Sequence, residues 1–295
     1  MPMTLSAPAK LNLYLAVGAL RADGYHDVTT VLVALDLGDD VTIGPAPALS
    51  LECEPDVGTP VGRNLAWKAA LAMEAAFGVP AGFAISVAKR IPVGAGLGGG
   101  SADAAAVIAA MATAWGLSPD DPRLDEVASA LGADVLFPLR GGCALYEGRG
   151  DVFVRSLELP AAHFAIACGA ESVSTAEAYA TLDRFGHGPA PGSASVEAAL
   201  AAHDAGALGA ALHNNMTPAA LVLVPQVGEA LASMAEAEAC LGSAVCGSGS
   251  AVFGVFAGAR DAEAAAARAR ERGLWAAVAS PRAGGTIDQT TGAKP

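Results

Sequence analysis

Apolar positions along this chain recur at two spacings, and the switches between them divide it into elements. Leu11 to Val17 alternates with a period of two and reads as a strand, and Val28 to Leu37 with Asp40 to Ile43 continues a β-rich opening. Proline and glycine between Gly44 and Gly62 predict a long surface excursion. Leu65, Ala69, Leu71 and Ala72 carry helical spacing within Asn64 to Phe77, and Phe83 to Val87 returns to a short strand. Helices follow at Asp103 to Trp115, with Asp103 in the first turn where the dipole favours a carboxylate, and at Leu124 to Leu131; a strand follows at Cys143 to Tyr146. The pattern breaks over Gly148 to Asp151 and starts afresh with a strand at His163 to Cys168. Helices are then predicted near Ser174 to Arg184, Val196 to His203, Val227 to Ala237 and Arg260 to Arg272. A hairpin at Val245 to Phe256 bends around Gly247 and Gly249, and Leu274 to Ala279 is a closing strand. The reading is an α+β fold in two units, residues 1–152 and 153–282, with a disordered tail at 283–295.

Composition narrows the function classes. Only 5% of the 295 residues are aromatic, so the 53% apolar fraction comes mainly from alanine and aliphatic side chains. No apolar run reaches membrane length, and the N-terminus lacks a basic segment followed by an apolar core, so a cytoplasmic protein without membrane attachment is expected. The formal charge of −13 disfavours nucleic acid as a partner, yet leaves room for a small phosphorylated ligand at one locally positive site. Cys53, Cys143, Cys168, Cys240 and Cys246 are odd in number and widely spaced, which reads as small buried thiols.

The candidate chemistry begins with Pro92-Val-Gly-Ala-Gly-Leu-Gly-Gly-Gly-Ser-Ala102, five glycines within seven residues at a strand-to-helix junction. Glycines let backbone N–H groups face a ligand unobstructed, and the first amides of a helix starting at Ser101 add their own positive end. A Walker A loop is excluded, since no lysine lies between Gly94 and Ala114. Gly94, Gly96 and Gly99 satisfy a dinucleotide fingerprint, but Leu-Ser-Pro-Asp-Asp-Pro after Gly116 leaves no place for the second strand that fold needs. A plain turn is the remaining alternative, and the glycine density favours a phosphate cradle over it.

Lys10 and Asn12 stand two residues apart at a strand entry and so share a face. Gly24-Tyr25-His26-Asp27 places a ring plane, a titratable imidazole and a carboxylate in succession, which alone reads equally well as a turn with a structural histidine. Asp134, inside Leu131-Gly-Ala-Asp-Val-Leu-Phe137, is expected to be a buried acid, satisfied by a helix end or by a cation such as Lys10.

Together these segments resemble the GHMP kinase superfamily of galactokinase, homoserine kinase, mevalonate kinase and phosphomevalonate kinase. Three motifs carry the resemblance in order: Pro8-Ala-Lys10-Leu-Asn12-Leu, Pro92 to Ala105, and Cys246-Gly-Ser-Gly-Ser-Ala-Val-Phe-Gly254. A narrower match, to members that act on a cytidylyl derivative of methylerythritol, rests on Gly24-Tyr25-His26, Gly62-Arg-Asn64, Gly132-Ala-Asp134, Gly148-Arg-Gly, Val173-Ser-Thr175-Ala-Glu-Ala-Tyr179 and Leu221 to Pro225. The chain departs from that pattern at Leu136-Phe137-Pro138 and Asn214 to Thr217.

The resemblance implies a two-domain kinase with its site in the cleft, ATP and Mg²⁺ as cofactors, and phosphorylation of the 2-hydroxyl of a small cytidylyl alcohol on the route to isoprenoid precursors. Lys10 and Asp134 become the catalytic pair, Lys10 close enough to keep Asp134 ionised. Residues Pro92, Val93, Gly94, Ala95, Gly96, Leu97, Gly98, Gly99, Gly100, Ser101 and Ala102 would hold ATP, with Asn64 at its adenine and Ser101 the candidate metal contact. Asn12, Tyr25, His26, Thr175 and Tyr179 would hold the acceptor, the two tyrosines sandwiching cytosine. A monomer or weak homodimer is expected. The alternatives are another kinase of the superfamily, of homoserine or mevalonate type, and a nucleotide-binding relative without chemistry.

Overall fold

The computed structural model of the protein describes residues 2–80 and 82–290. The first half runs β1 (Met3–Leu20), β2 (His26–Pro45), β3 (Ser50–Glu54), α1 (Leu65–Phe77), β4 (Phe83–Ala88), α2 (Gly99–Ala114), α3 (Pro122–Leu131), α4 (Leu136–Arg140) and β5 (Cys143–Glu147). The second runs β6 (Val152–Leu157), β7 (His163–Cys168), α5 (Thr175–Phe185), α6 (Ala194–Ala201), α7 (Ala205–Ala211), β8 (His213–Asn214), α8 (Thr217–Leu223), α9 (Gln226–Ala235), β9 (Gly242–Val245), β10 (Val252–Phe256), α10 (Ala259–Glu271) and β11 (Trp275–Ala279). The content is α+β, as expected. No helix among the described residues is long and apolar enough to cross a membrane.

Two sheets form the frame. The larger is ordered β3-β4-β2-β1-β8, with β5 on β2 and β6 on β5; the smaller is β11-β7-β10-β9. Helices α1, α2 and α3 cover one face of the large sheet through a core that includes Leu5, Ala7, Val41, Ile43 and nearly all of α2. Every residue from Ala102 to Ala112 is buried, as befits a helix that is apolar all round, and its alanines let the neighbouring layers approach closely. The two sheets meet across a second core holding Leu11, Leu13, Val31 and Val33 against Phe164, Ile166, Phe253 and Val255. Helices α9 and α10 close the far face of the small sheet.

β1 takes part in both cores, and the change of partner positions the site. Leu5 and Ala7 face α1 and α2, whereas Ala9, Leu11 and Leu13 face the small sheet. Alternation keeps i and i+2 on one face, so the register shift between Pro8 and Lys10 exchanges the faces of the strand. Lys10 and Asn12 are thereby turned toward the start of α2.

Several elements differ from expectation for identifiable reasons. The two segments read at Val28–Leu37 and Asp40–Ile43 are one strand, paired with β1 through Gly38. The excursion at Gly44 to Gly62 contains β3, whose half-buried alternation is short and polar. α2 starts at Gly99, so Asp103 lies beyond its first turn; Lys89 and not the helix dipole holds that carboxylate. Gly148 to Asp151 is the turn into β6, and the chain passes to the small sheet only after Leu157. α4, α7 and α8 are seven residues or shorter, too short to show a period. Residues 283–290, expected to be disordered, are packed: Thr286 N–H donates to the Pro138 carbonyl, and Gln289 exchanges two hydrogen bonds with the Ser6 backbone. The remainder of that tail, 291–295, lies outside the described residues.

The segment leading into the glycine loop is tied to β2 by Asp39, which is fully buried. Its Oδ1 accepts from the Arg90 and Ile91 amides (2.5 and 2.8 Å), and its Oδ2 accepts from Lys89 Nζ. Truncation would leave a buried ammonium and two amides without that acceptor. Asp39→Ala is therefore expected to lower the unfolding free energy by about 3–5 kcal/mol, read as a fall in the urea midpoint. An unchanged midpoint would show that the loop does not depend on this anchor.

Candidate active site

The glycine loop lies on β1 and on the turn between β9 and β10. Lys10 N–H donates to the Leu97 carbonyl (3.0 Å), and Ala251 N–H donates to Ala95 (2.9 Å). Gly94, Gly96 and Gly98 hold φ of +70°, +82° and +76°. At Gly96 a Cβ would stand 2.4 Å from the Cys246 carbonyl, so only glycine permits both the backbone angle and the approach. Gly98 caps α2, and the first helical bond is Ala102 N–H to the Gly98 carbonyl. The amides of Gly99, Gly100 and Ser101 therefore have no helical acceptor and stand at the positive end of a 16-residue helix.

These residues line a cavity of about 440 Å³ with Asn64, Leu65, Cys53 and Lys89. All of Pro92 to Ser101 takes part. Ala102 does not line it: its side chain is buried in the core and its amide is spent on the helix. Asn64 caps α1 through its side-chain oxygen, which accepts from Ala66 N–H, and its amide nitrogen points to Cys53 Sγ at 3.6 Å. Below the loop, Lys89 Nζ bridges Asp39 and Asp103 (2.7 Å to Asp103). Burial pushes the Asp103 carboxyl up to about 7 against the pull of Lys89, and its Oδ1 is buried with no hydrogen-bond partner.

A second cavity, of about 820 Å³, is lined by Tyr25, His26, Asp134, Arg149, Ser101, Thr175 and Tyr179, so Ser101 and Thr175 border both spaces. A smaller one of about 140 Å³ adjoins it, lined by Lys10, Asn12, Thr30, Asp134, Arg149, Thr175 and Tyr179. Lys10 Nζ donates to Asn12 Oδ1 at 2.6 Å, and Asn12 Nδ2 donates to Thr30 Oγ1 at 2.9 Å. Both residues are buried. Thr175 Oγ1 is hydrogen-bonded to Ser248 Oγ (3.1 Å), which joins the start of α5 to the β9–β10 turn.

Asp134 corrects an expectation. It is exposed, in the turn between α3 and α4, and no ion pair joins it to Lys10. The apolar neighbours that suggested a buried acid, Val135 and Phe137, point into the cores while the turn lifts Asp134 into the cleft. Lys10 is instead occupied by Asn12, two residues along its own strand, and it shares a cavity with Asp134.

His26 is buried, and its Nε2 donates to Asp183 Oδ1 at 2.9 Å. Its ring lies 4.9 Å from that of Tyr179 and 5.6 Å from that of His187, whose Nε2 meets the same Asp183 oxygen at 3.1 Å. The His26 hydrogen bond, with both imidazoles nearby, holds Asp183 below the usual carboxylate range. Among the described residues, these three are the one group of side chains whose ligand atoms gather within 4.8 Å as a metal site requires. Burial, with the charge of Asp134 adding, pushes the Tyr179 hydroxyl up to about 12. Tyr25, by contrast, is 54% exposed, with the Arg149 guanidinium 4.9 Å from its ring centre.

Sequence reasoning did not find Asp183, His187 or the Lys89 cluster, and it gave no role to Arg149, which stands in the Gly148-Arg-Gly segment of the resemblance. Asp183 and His187 are four apart, the spacing of one helical face, but their partner His26 is 157 residues from Asp183 and no local pattern connects them. The unusual Asn214-Asn-Met-Thr217 segment has a structural task. Asn214 Nδ2 donates to the Val245 and Gly247 carbonyls, and Asn215 pairs with both Val17 N–H and its carbonyl, so the segment ties β1 to the β9–β10 turn.

Comparison with known proteins agrees with this geometry. The family model for the GHMP kinases N terminal domain matches residues 64–144, and that for the GHMP kinases C terminal matches 196–273. The chain is 42% identical over 260 residues to a 4-diphosphocytidyl-2-C-methyl-D-erythritol kinase of Streptomyces coelicolor, covering 84% of this chain and 86% of that one. It is also 42% identical over 254 residues to the protein of the same name in Mycobacterium tuberculosis, covering 84% and 80%. A crystal structure of 4-(cytidine 5'-diphospho)-2C-methyl-D-erythritol kinase superposes with a TM-score of 0.79 at 34% identity, over 94% of this chain and 99% of that one. A homoserine kinase from Cytophaga hutchinsonii, at 20% identity and a TM-score of 0.74 over 97% and 96% of the two chains, shares the fold. With the glycine loop, the Lys10–Asn12 strand and the β9–β10 turn converging on one cleft, the chain belongs to the 4-diphosphocytidyl-2-C-methyl-D-erythritol kinase family of the GHMP kinases.

Proposed function

We propose that the protein transfers the γ-phosphoryl group of ATP to the 2-hydroxyl of 4-diphosphocytidyl-2-C-methyl-D-erythritol. The observation that carries this reading is the junction of the two large cavities at Ser101 and Thr175, with Lys10 and Asp134 in the small space beside it. ATP occupies the loop cavity, its phosphates on the amides of Gly99, Gly100 and Ser101 and its adenine toward Asn64 and Leu65. The forced glycine at position 96 and the acceptor-free amides fit a phosphate chain. Mg²⁺ carried with the nucleotide would supply charge neutralisation, and Ser101, which borders both cavities, would be the residue to hold it.

In the transfer, the acceptor oxygen bonds to the γ-phosphorus as the bond to the ADP oxygen breaks, and the hydroxyl proton passes to the Asp134 carboxylate. The exposed position of Asp134 suits this role, because it meets the acceptor in the cleft. Lys10, held by the neutral Asn12, keeps its full charge for the migrating phosphoryl group. Phosphoryl transfer has a loose transition state, so alignment and charge supply most of the acceleration. At the other end Tyr25 and Tyr179 flank cytosine. Since Asp183 accepts from His26 Nε2–H, a neutral His26 ring has Nδ1 as its acceptor, which suits the exocyclic amino group of the base.

The deciding experiment is an ADP-release assay of the purified protein with the cytidylyl alcohol, homoserine and mevalonate as separate acceptors. Turnover confined to the cytidylyl compound is expected, and comparable turnover of either other acceptor would reassign the substrate. Asp134→Asn should cut turnover by about 10²–10⁴ while ATP affinity by calorimetry stays within threefold of about wild type. A variant keeping more than about a tenth of wild-type turnover would remove Asp134 from the chemistry. Gly96→Ala should weaken ATP binding by roughly tenfold or more without unfolding the chain, and unchanged affinity would return the loop to a plain turn. Tyr179→Ala should lose stacking of about 1–3 kcal/mol, seen as a raised KM for the acceptor with kcat largely kept.

A further inference from the structure

The acceptor described above is a cytidine, made of base and ribose, joined through a diphosphate to a polyol that carries the reacting hydroxyl. Of the site residues already placed, Tyr25, His26 and Tyr179 serve the base, Lys10 and Asp134 the transfer, and Asn12 and Thr175, expected at the polar middle, bring no positive charge to a diphosphate. Lys10 belongs to the transfer end, packed on the glycine loop with its Cγ 3.1 Å from where a Cβ on Gly98 would stand. Among the described residues, the two cavities that would hold the acceptor are lined by two lysine or arginine side chains, Lys10 and Arg149. Arg149 lines both of them.

The chain builds Arg149 into place. It sits between Gly148 and Gly150, both at positive φ, in the turn joining β5 to β6. Val28 N–H donates to the Gly148 carbonyl at 2.7 Å, and Val28 pairs with Arg149 in a parallel bridge, which sets the turn beside Tyr25 and His26. Asp151 takes Nε at 2.9 Å and also accepts from Nη2, while its other oxygen accepts from the Arg149 amide at 3.0 Å. These contacts use two of the five guanidinium N–H donors and fix its plane, leaving donors for an anion in the fork geometry that suits phosphate. The Tyr25 ring stacks against it, so the base platform and the cation are held together.

We infer that Arg149 is the diphosphate-binding residue of the acceptor site, lying between the base-reading end at Tyr25 and His26 and the transfer end at Lys10 and Asp134. The inference rests on the proposed cytidylyl acceptor. It gives Arg149 a task in binding and none in chemistry: the diphosphate is unchanged by the reaction, so its contact acts equally in ground and transition states.

The test compares cytidine with cytidine diphosphate, which share base and ribose and differ in the diphosphate. Affinities are measured by calorimetry for the wild type, Arg149→Gln and Arg149→Lys, with melting temperatures as a folding check. Arg149→Gln is expected to weaken cytidine diphosphate by about 10- to 100-fold and to leave cytidine within about threefold. Arg149→Lys, which keeps the charge and loses the fork, should fall between. In turnover assays the acceptor KM should rise in the same order, with kcat and the ATP KM held. Equal losses on both ligands would overturn the assignment and make Arg149 a support for Tyr25 alone; unchanged cytidine diphosphate affinity would overturn it outright. Failure of the wild type to bind either ligand would instead overturn the cytidylyl reading beneath it.

Discussion

The close approach of three backbones at Gly96 is the constraint on which the rest of the site depends. The glycine loop, β1 and the β9–β10 turn come from distant parts of the chain, and they meet where no side chain fits: a Cβ on Gly96 would lie 2.4 Å from the Cys246 carbonyl and 2.9 Å from that of Gly249. The buried Cys246 thiol is the local filler, with Sγ 3.3 Å from the Gly96 carbonyl and 3.5 Å from that of Lys10. Burial pushes that thiol upward, so it packs as a small neutral group at the centre of a charged site. With these backbones joined, the amides at the start of α2 and the Lys10 ammonium are fixed relative to one another, which an in-line transfer requires.

What the sequence made legible follows from what is local. The alternation at Leu11 to Val17 and the helical spacing after Asn64 are each contained in one element and stand where the pattern put them, and the glycine run, local in sequence, spans the loop and the first residues of α2. The Lys10–Asn12 pairing was legible because a period of two guarantees it whatever the strand faces. Which layer that pair faces was not, since it is decided by the irregularity at Pro8–Lys10, invisible in a hydrophobic pattern. Asp134 shows the opposite failure. Apolar neighbours are evidence of burial only inside a regular element, and Asp134 lies in a turn whose flanking residues alone are buried. The missed contacts of His26 were out of reach because helix α5, which carries Asp183, packs beside the start of β2 through tertiary structure.

The chain carries a formal charge of −13, and both proposed ligands are polyanions. That opposition is resolved locally, by backbone amides at a helix start, which cost no side-chain charge and answer only to a group that fits between them. Three of the cations nearby, Lys89, Arg149 and Lys10, are tethered, and their tethers differ in a way that sorts their roles. Lys89 is gripped by two buried carboxylates, Asp39 and Asp103, and its charge is consumed within the frame of the loop. Arg149 is held by one carboxylate that occupies part of its fork. Lys10 is held by the neutral amide oxygen of Asn12. A neutral tether fixes position without cancelling charge, so among these three Lys10 alone presents a whole, immobilised positive charge. It does so in the small cavity beside Asp134, where the proposed transfer takes the phosphoryl group and where an ion pair with that acid would leave neither group free for it.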